Sequence, residues 1–113
     1  MAALRTGSDL SFVYCHEDAA VPIKSYSPEV IVTSILAKAD KESQVKPAFN
    51  VAKSVVIGPG LGRAPFANDV FDAFLSANEQ HLMNLSDEVA ARLSVTMDAD
   101  ALWQITQNPD VYV

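Results

Sequence analysis

The sequence lacks the features that mark disulfide-bonded, cysteine-zinc and membrane-spanning proteins. Its single cysteine, Cys15, has no partner for an internal disulfide or a cysteine-based zinc site, and a lone thiol favours a reducing compartment. The longest apolar runs, at residues 30–36 and 54–57, are far shorter than the ~20 residues that a membrane helix needs. We therefore expect no disulfide framework and no membrane partner.

Basic residues are also scarce. Eight lysines and arginines stand against fourteen acidic residues, which gives a net charge of −6 at pH 7. This balance argues against a nucleic-acid partner, because nucleic-acid binders need a basic surface for the phosphate backbone. It leaves room for a local basic pocket that binds a phosphorylated ligand. With 113 residues, of which 50% are hydrophobic and 19% charged, the chain is expected to fold as one domain with a buried core.

Predicted strands and helices alternate along the chain. Strands are expected at residues 10–15, 30–33, 53–57 and 94–97, where β-branched and aromatic residues are common. Helices are expected at residues 1–5, 65–81 and 86–93 and from residue 101 to the Asn108-Pro109 pair. Residues 16–20 and 22–28 are expected to form loops, and residues 37–47 a surface connection or a frayed helix. This order predicts an α/β fold in which parallel strands are joined in βαβ units.

The helix expected from residue 65 carries an apolar stripe. Pro65 suits its first position, because the N–H that proline lacks would be unpaired there in any case. The stripe follows the i, i+3, i+4, i+7 spacing of an amphipathic helix and consists of Phe66, Ala67, Val70, Phe71, Phe74 and Leu75.

A glycine-rich turn is the strongest local signal for a binding site. Gly58, Gly60 and Gly62 lie between the third strand and this helix, where glycine permits close approach and leaves N–H groups free for an anion. Arg63 adds a charged fork suited to phosphate. The turn is neither a P-loop nor the G-x-G-x-x-G dinucleotide fingerprint. By spacing alone, an anion site and a tight turn without a ligand are equally good interpretations.

Two aspartates follow the fourth strand, at the sheet edge where open α/β proteins bind ligands. Asp100 is fully explained as the cap of the last helix. Asp98 has no such local role, so we favour a site role for it, toward a metal-bound water or a substrate hydroxyl, over bonds to neighbouring loop amides.

The remaining titratable residues indicate no catalytic or metal site. His16, Glu17 and Asp18 are adjacent, point in different directions and are expected in a solvated loop. His81 ends the amphipathic helix, where it suits the helix dipole. Cys15 ends a strand and is expected to be a small buried group.

Four segments along the chain form a set. They are AALRTGSDL at residues 2–10, YSPEVIV at residues 26–32, VVIGPGLGR at residues 55–63 and MDADALW at residues 97–103. In this order they resemble the ATP-dependent NAD(P)H-hydrate dehydratase family, a branch of the ribokinase-like fold. The resemblance implies a partial ribokinase-like fold with a mostly parallel sheet flanked by helices. It also implies that residues 1–113 are the central part of one such domain, with both ends missing.

The resemblance implies an enzyme of nicotinamide nucleotide repair. Family members use ATP, with Mg²⁺, to dehydrate (S)-NADHX and (S)-NADPHX, the hydrated forms of NADH and NADPH; the hydroxyl is phosphorylated and phosphate then leaves. Gly58, Gly60 and Gly62 are implied to contribute to the hydrated-dinucleotide site. Arg63, Asp98 and Asp100 complete the predicted substrate-binding set, although the match does not define the duty of the two aspartates. Family members in eukaryotes occur in the cytoplasm and in mitochondria.

The sequence departs from the family in one respect that bears on activity. It lacks the Gly-Ser-Gly-Asp motif that carries the catalytic aspartate and the ATP anion hole, so we predict no catalytic residue and expect the loss to remove phosphoryl transfer. Two alternatives stay open. One is a non-catalytic homologue that binds the dinucleotide or joins a full-length enzyme in an oligomer. The other is a ribokinase-like kinase of a small molecule.

Overall fold

Helices and parallel strands alternate in the computed structural model, which describes residues 2–84 and 93–112. The elements run in the order α1 (Ala2–Arg5), β1 (Phe12–His16), α2 (Glu17–Tyr26), β2 (Ile31–Ile35), α3 (Lys41–Val51), β3 (Ser54–Ile57), α4 (Pro65–Met83), β4 (Ser94–Met97), α5 (Asp100–Gln107) and α6 (Pro109–Tyr112). The chain divides into a first unit, Met1–Asp40, and a second unit, Lys41–Val113. The predicted α/β class is confirmed, and the parallel strand pairs are consistent with a partial ribokinase-like fold.

The first unit is built on one parallel strand pair. β1 pairs with β2 from Phe12 opposite Ile31 to His16 opposite Ile35, and α2 connects them and packs on both. The predicted helix end before Gly7 is also confirmed, because Gly7 has a φ of +102° and the Ser8 N–H donates to the Ala3 carbonyl at 3.1 Å, a bond typical of a closed helix end. The first two predicted strands are therefore confirmed as β1 and β2, and β2 extends two residues beyond its predicted end, to Ile35.

The loops predicted at residues 16–20 and 22–28 are wrong over most of their length, because α2 occupies residues 17–26. The Nδ1 atom of His16 accepts a hydrogen bond from the Asp18 N–H at 3.2 Å and caps the helix. Glu17 and Asp18 add negative charge where the helix dipole favours it. Pro22 removes one internal hydrogen bond. Packing of the helix on both strands outweighs that loss, which local sequence rules do not include.

The second unit is built on another parallel pair. β3 pairs with β4 from Ser54 opposite Ser94 to Ile57 opposite Met97, and the predicted positions and parallel direction of the two strands are confirmed. Pro65 is the first residue of α4, also as predicted. The apolar stripe of α4 faces the core at four predicted residues, Ala67, Val70, Phe71 and Phe74, and also at Ala77. Phe66 and Leu75 are half-buried.

Residues 37–47 are expected to form a surface connection or a frayed helix, and from residue 41 the helix alternative is confirmed, because α3 begins there. Val45 and Phe49, four residues apart, are buried against α4. The Phe49 ring tilts against the Phe74 ring with 5.3 Å between centroids. Burial of these two side chains holds the helix despite Pro47 in its interior.

Two further predictions concern the end of the chain. The helix predicted at residues 86–93 lies almost wholly outside the described residues. The predicted stop at Asn108-Pro109 is confirmed, since α5 ends at Gln107 and α6 begins at Pro109. In the described part of the chain, no helix is both long enough and apolar enough to cross a membrane.

A polar cluster joins α3 to α4 beside the buried rings. The Glu42 carboxylate accepts hydrogen bonds from the Gln80 amide at 2.8 Å and the Ser76 hydroxyl at 3.1 Å, and it pairs with Lys46 at 3.3 Å. These donors, Gln80 first, hold the pKa of Glu42 below its usual value. The ionised carboxylate therefore fits this contact between the two helices better than the protonated form.

Glu42 is expected to make the stability of the second unit pH-dependent. Because its pKa is lowered on folding, its contribution is present above the unfolded-state pKa and is lost as pH falls through the folded-state pKa. Thermal unfolding of the wild type and of Glu42→Gln should show a gap in Tm at neutral pH that closes below about pH 4. Glu79→Gln, which removes an exposed carboxylate from α4, is the control. A gap that stays constant across this range would contradict the prediction.

Candidate functional site

The candidate site lies at the carboxyl ends of β3 and β4. The glycine turn leaves β3 at Gly58, and the aspartate segment leaves β4 at Asp98. Because Ile57 lies opposite Met97 in the parallel register, both segments start at the same end of the strand pair. The Asp98 N–H donates to the Ile57 carbonyl at 3.0 Å and extends the pairing by one bond. The predicted site residues therefore come together at the edge where α/β sheets bind ligands.

Glycine is needed at the three positions of the turn for different structural reasons. Gly58 has a φ of +127°, and a Cβ atom there would overlap the main-chain carbonyl of Asp98 and meet the methyl group of Ala101. Gly60 and Gly62 have φ values of +72° and +82°, but a Cβ atom on either would meet nothing within 4 Å. Gly58 is therefore required for packing, whereas Gly60 and Gly62 leave open space above the turn.

The first half of the turn is closed by its own backbone. The Leu61 N–H donates to the Gly58 carbonyl at 3.0 Å, which spans a four-residue turn. Pro59 at its second position and Gly60, with positive φ, at its third fit a type II turn. The turn thus uses one of the N–H groups that the sequence predicted to be free for an anion.

The prediction that Asp100 caps the last helix is wrong. α5 begins at Asp100 itself, and Ala99 is the N-cap residue with no side-chain capping bond. The Asp100 carboxylate instead crosses to the glycine turn. Its Oδ2 accepts from the Gly62 N–H at 2.9 Å and its Oδ1 from the Arg63 Nε at 3.3 Å. These donors lie within reach because α5 starts beside the turn, which a cap assignment from the local sequence does not take into account.

Asp98 acts in the described structure through its backbone and one local bond. Its carbonyl accepts from the Ala101 N–H at 3.0 Å, and its Oδ1 accepts from the Ala99 N–H at 2.8 Å. Ala99 has a positive φ of 47°, a conformation that costs free energy for a residue with a Cβ atom. The side-chain bond matches the alternative of a loop-amide contact, and the site role of Asp98 stays a prediction.

Trp103 lies at the candidate site, although the sequence did not predict it there. The Arg63 Cζ atom lies 4.7 Å from the centroid of the Trp103 ring, within cation–π range. Asp100 and Trp103 lie three residues apart on α5, so they share one face of the helix. The Arg63 side chain remains 60% exposed. The sequence did contain a signal for Trp103: it lies three residues after Asp100, at the start of a helix that follows β4.

The Mg²⁺ ion implied by the resemblance finds no set of ligands here. No three His, Cys, Asp or Glu side chains group together anywhere in the described part of the chain. Both oxygens of Asp100 and one oxygen of Asp98 already accept hydrogen bonds. We therefore assign no described residue to a metal.

The two histidines and the cysteine have structural roles or settings. His16 caps α2, which replaces the predicted solvated loop, and His81 lies in the last turn of α4, 5.6 Å from the Phe49 ring centroid. Cys15 lies half-buried in β1, one residue before its end, and desolvation raises the pKa of its thiol. A raised pKa reduces the thiolate fraction, so this position does not favour a nucleophile.

Comparisons with a family model and with individual known proteins point to the same family. The family model described as NAD(P)H-hydrate dehydratase matches residues 1–113. Proteins named ATP-dependent (S)-NAD(P)H-hydrate dehydratase are similar along nearly all of the chain. That of Ixodes scapularis is 43% identical over 111 residues, which cover 98% of this chain and 31% of that protein. The human protein is 38% identical over 109 residues, which cover 96% of this chain and 28% of that protein. The chain thus spans about three-tenths of the length of these relatives.

The two kinds of glycine are expected to respond differently to alanine. Gly58→Ala should lower the free energy of unfolding by about 3 kcal/mol or more, because it adds both backbone strain and overlap with Asp98 and Ala101. Gly60→Ala should cost only about 1–2 kcal/mol, from backbone strain alone. Urea unfolding of both variants measures the difference. Equal losses at the two positions would contradict the distinction between a packing glycine and an open one.

Proposed function

The chain belongs to the NAD(P)H-hydrate dehydratase family, and on this premise we propose that it supplies the substrate-binding part of a nicotinamide nucleotide repair site. The reaction we propose for that site is the ATP-dependent dehydration of (S)-NADHX and (S)-NADPHX to NADH and NADPH. The substrate and the reaction come from the family and from the names of the similar proteins. Because this chain covers only about three-tenths of the length of those proteins, the substrate and the reaction are proposals for it.

The observation that carries the proposal is the open glycine turn with Arg63 beside it. Gly60 and Gly62 present no side chain, so a ligand can approach their backbone closely. Within the described residues, the Gly60 N–H has no hydrogen-bond partner. Arg63 places an exposed guanidinium at the same point of a chain whose net charge is −6. A dinucleotide carries a diphosphate, which matches a guanidinium and a free N–H in charge and in hydrogen bonding.

The proposed reaction divides between substrate binding and phosphoryl transfer. The terminal phosphoryl group of ATP passes to the hydroxyl of the hydrated ring. Phosphate then leaves with the C–O bond electrons, a ring proton is lost, and the double bond of the reduced nicotinamide returns. Gly60, Gly62 and Arg63 bind and orient the substrate in this scheme. No described residue is assigned to the transfer itself or to Mg²⁺, because both oxygens of Asp100 accept hydrogen bonds from the protein and the described residues hold no group of three His, Cys, Asp or Glu side chains.

Arg63 is expected to carry a large part of the affinity for the substrate. Calorimetric titration with (S)-NADPHX should give binding to the wild type, and Arg63→Ala should raise Kd roughly tenfold through loss of charged hydrogen bonds. Arg5→Ala removes the same charge from an exposed position on α1 and is the matched control. Equal weakening by both variants would show a net-charge effect and contradict a specific contact.

We expect substrate binding by this chain without turnover. The assay supplies (S)-NADPHX, ATP and Mg²⁺ and follows the return of reduced-nicotinamide absorbance, with a family protein that contains Gly-Ser-Gly-Asp as positive control. Recovery above a sample without protein would contradict the prediction that this motif is required. Absence of (S)-NADPHX binding would contradict the proposed function. A phosphorylated product without regenerated coenzyme would favour the small-molecule kinase alternative.

A further inference from the structure

Asp100 contacts the glycine turn with both of its carboxylate oxygens. We propose that Asp100 is a positioning residue, which fixes the Gly62 end of the turn and holds the Arg63 guanidinium on the face of Trp103, so that the remaining N–H groups of Arg63 bind an oxyanion of the ligand. The inference rests on the proposed function only for the identity of that oxyanion as the substrate diphosphate. The positioning itself is testable without any ligand.

The first step is that Asp100 has no carboxylate oxygen without a protein donor. Oδ2 accepts from the Gly62 N–H at 2.9 Å, and Oδ1 accepts from the Arg63 Nε at 3.3 Å. The side chain is only 24% exposed. Charge-assisted hydrogen bonds of this kind are stronger than neutral ones. A direct contact between Asp100 and a phosphate would also place two negative charges together, so its effect on the ligand passes through Gly62 and Arg63.

The second step is that Arg63 is held from two directions. Asp100 binds the Nε edge of the guanidinium, and the Trp103 ring lies against its face with 4.7 Å from the centroid to Cζ. A guanidinium has five N–H donors, of which the Nε–H accounts for one. With 60% of the side chain exposed, the donors on the two terminal nitrogens are available to an oxyanion. Restraint before binding reduces the entropy that the side chain loses on binding.

The third step is that the helix that carries Asp100 and Trp103 is itself fixed at this point. Ala101, between them in sequence, is fully buried and lies next to Gly58. Its N–H donates to the Asp98 carbonyl at 3.0 Å. In the same helix, buried Gln104 donates from its amide to Asn68 of α4. The start of α5, which carries the two residues that contact Arg63, is therefore part of the packed second unit.

Two interpretations of Asp100 give opposite expectations. If Asp100 only lowers the local positive potential, its neutralisation strengthens the binding of an anion. If Asp100 positions Arg63 and the turn, its neutralisation weakens that binding although the net charge becomes more favourable. Asp100→Asn, which keeps the size of the side chain, separates the two.

The first measurement needs no ligand. Trp103 is the only tryptophan in the chain, so acrylamide quenching of its fluorescence reports how well the guanidinium covers the ring. Both Arg63→Ala and Asp100→Asn should increase quenching relative to the wild type. Asp69→Asn, an exposed aspartate on α4, should leave it unchanged. Increased quenching in Arg63→Ala with wild-type quenching in Asp100→Asn would overturn the positioning role.

The second measurement is calorimetric titration with inorganic pyrophosphate. Asp100→Asn should raise Kd roughly tenfold, as expected for a weakened charged contact, and Asp69→Asn should not raise it. Asp100→Glu keeps the charge but moves the carboxylate, so its Kd should fall between those of the wild type and Asp100→Asn. Pyrophosphate binding as tight in both Asp100 variants as in the wild type would overturn the proposal. Far-UV circular dichroism establishes that each variant is folded, and Asp100→Glu tests the role if Asp100→Asn unfolds.

The outcomes for the two proposals are distinct. Wild type that binds pyrophosphate through Arg63 and Asp100 but does not bind (S)-NADPHX supports the positioning role and contradicts the proposed function. Wild type that does not bind pyrophosphate overturns the oxyanion-binding role of Arg63.

Discussion

The close approach of Gly58 to the main-chain carbonyl of Asp98 is the constraint on which the site depends. In a parallel pair, segments that leave adjacent strands start side by side, and here they touch through backbone atoms. Only a residue without a Cβ atom fits at position 58. Because these backbones meet, Ala101 packs beside the turn and α5 begins within reach of it. The bonds from Gly62 and Arg63 to Asp100 are consequences of that geometry.

The electrostatics of the site differ from those of the chain as a whole. A net charge of −6 repels a dinucleotide at long range, so any affinity has to come from a local arrangement. In our proposal Arg63 provides that arrangement, and its 3.3 Å ion pair with Asp100 fixes the direction of the guanidinium while offsetting part of its charge. One carboxylate for orientation and one cation for contact is the physical basis of our proposal that these residues bind the substrate.

The helices α2 and α3 show where local sequence rules fail. The sequence predicts loops over most of α2, and a surface connection or a frayed helix over the first part of α3. Pro22 and Pro47 also each remove an internal hydrogen bond. α2 forms because His16 caps it and two strands lie beneath it, and α3 forms because Val45 and Phe49 are buried against α4. These contributions come from tertiary packing and from a capping histidine, which helix propensity does not include.

Residue type and period along single segments were enough to predict the α/β class, the strands β3 and β4, and the start of α4 at Pro65 with its buried stripe. From the sequence, the glycine turn and the two aspartates were separate candidates for binding, and only the pairing of β3 with β4 brought them to one edge. The tertiary structure alone decided what each residue does there. It made Gly58 a packing residue, turned Asp100 from a cap into a partner of Gly62 and Arg63, and added Trp103. Those roles depend on distances between residues nearly forty positions apart, and no local pattern encodes such distances.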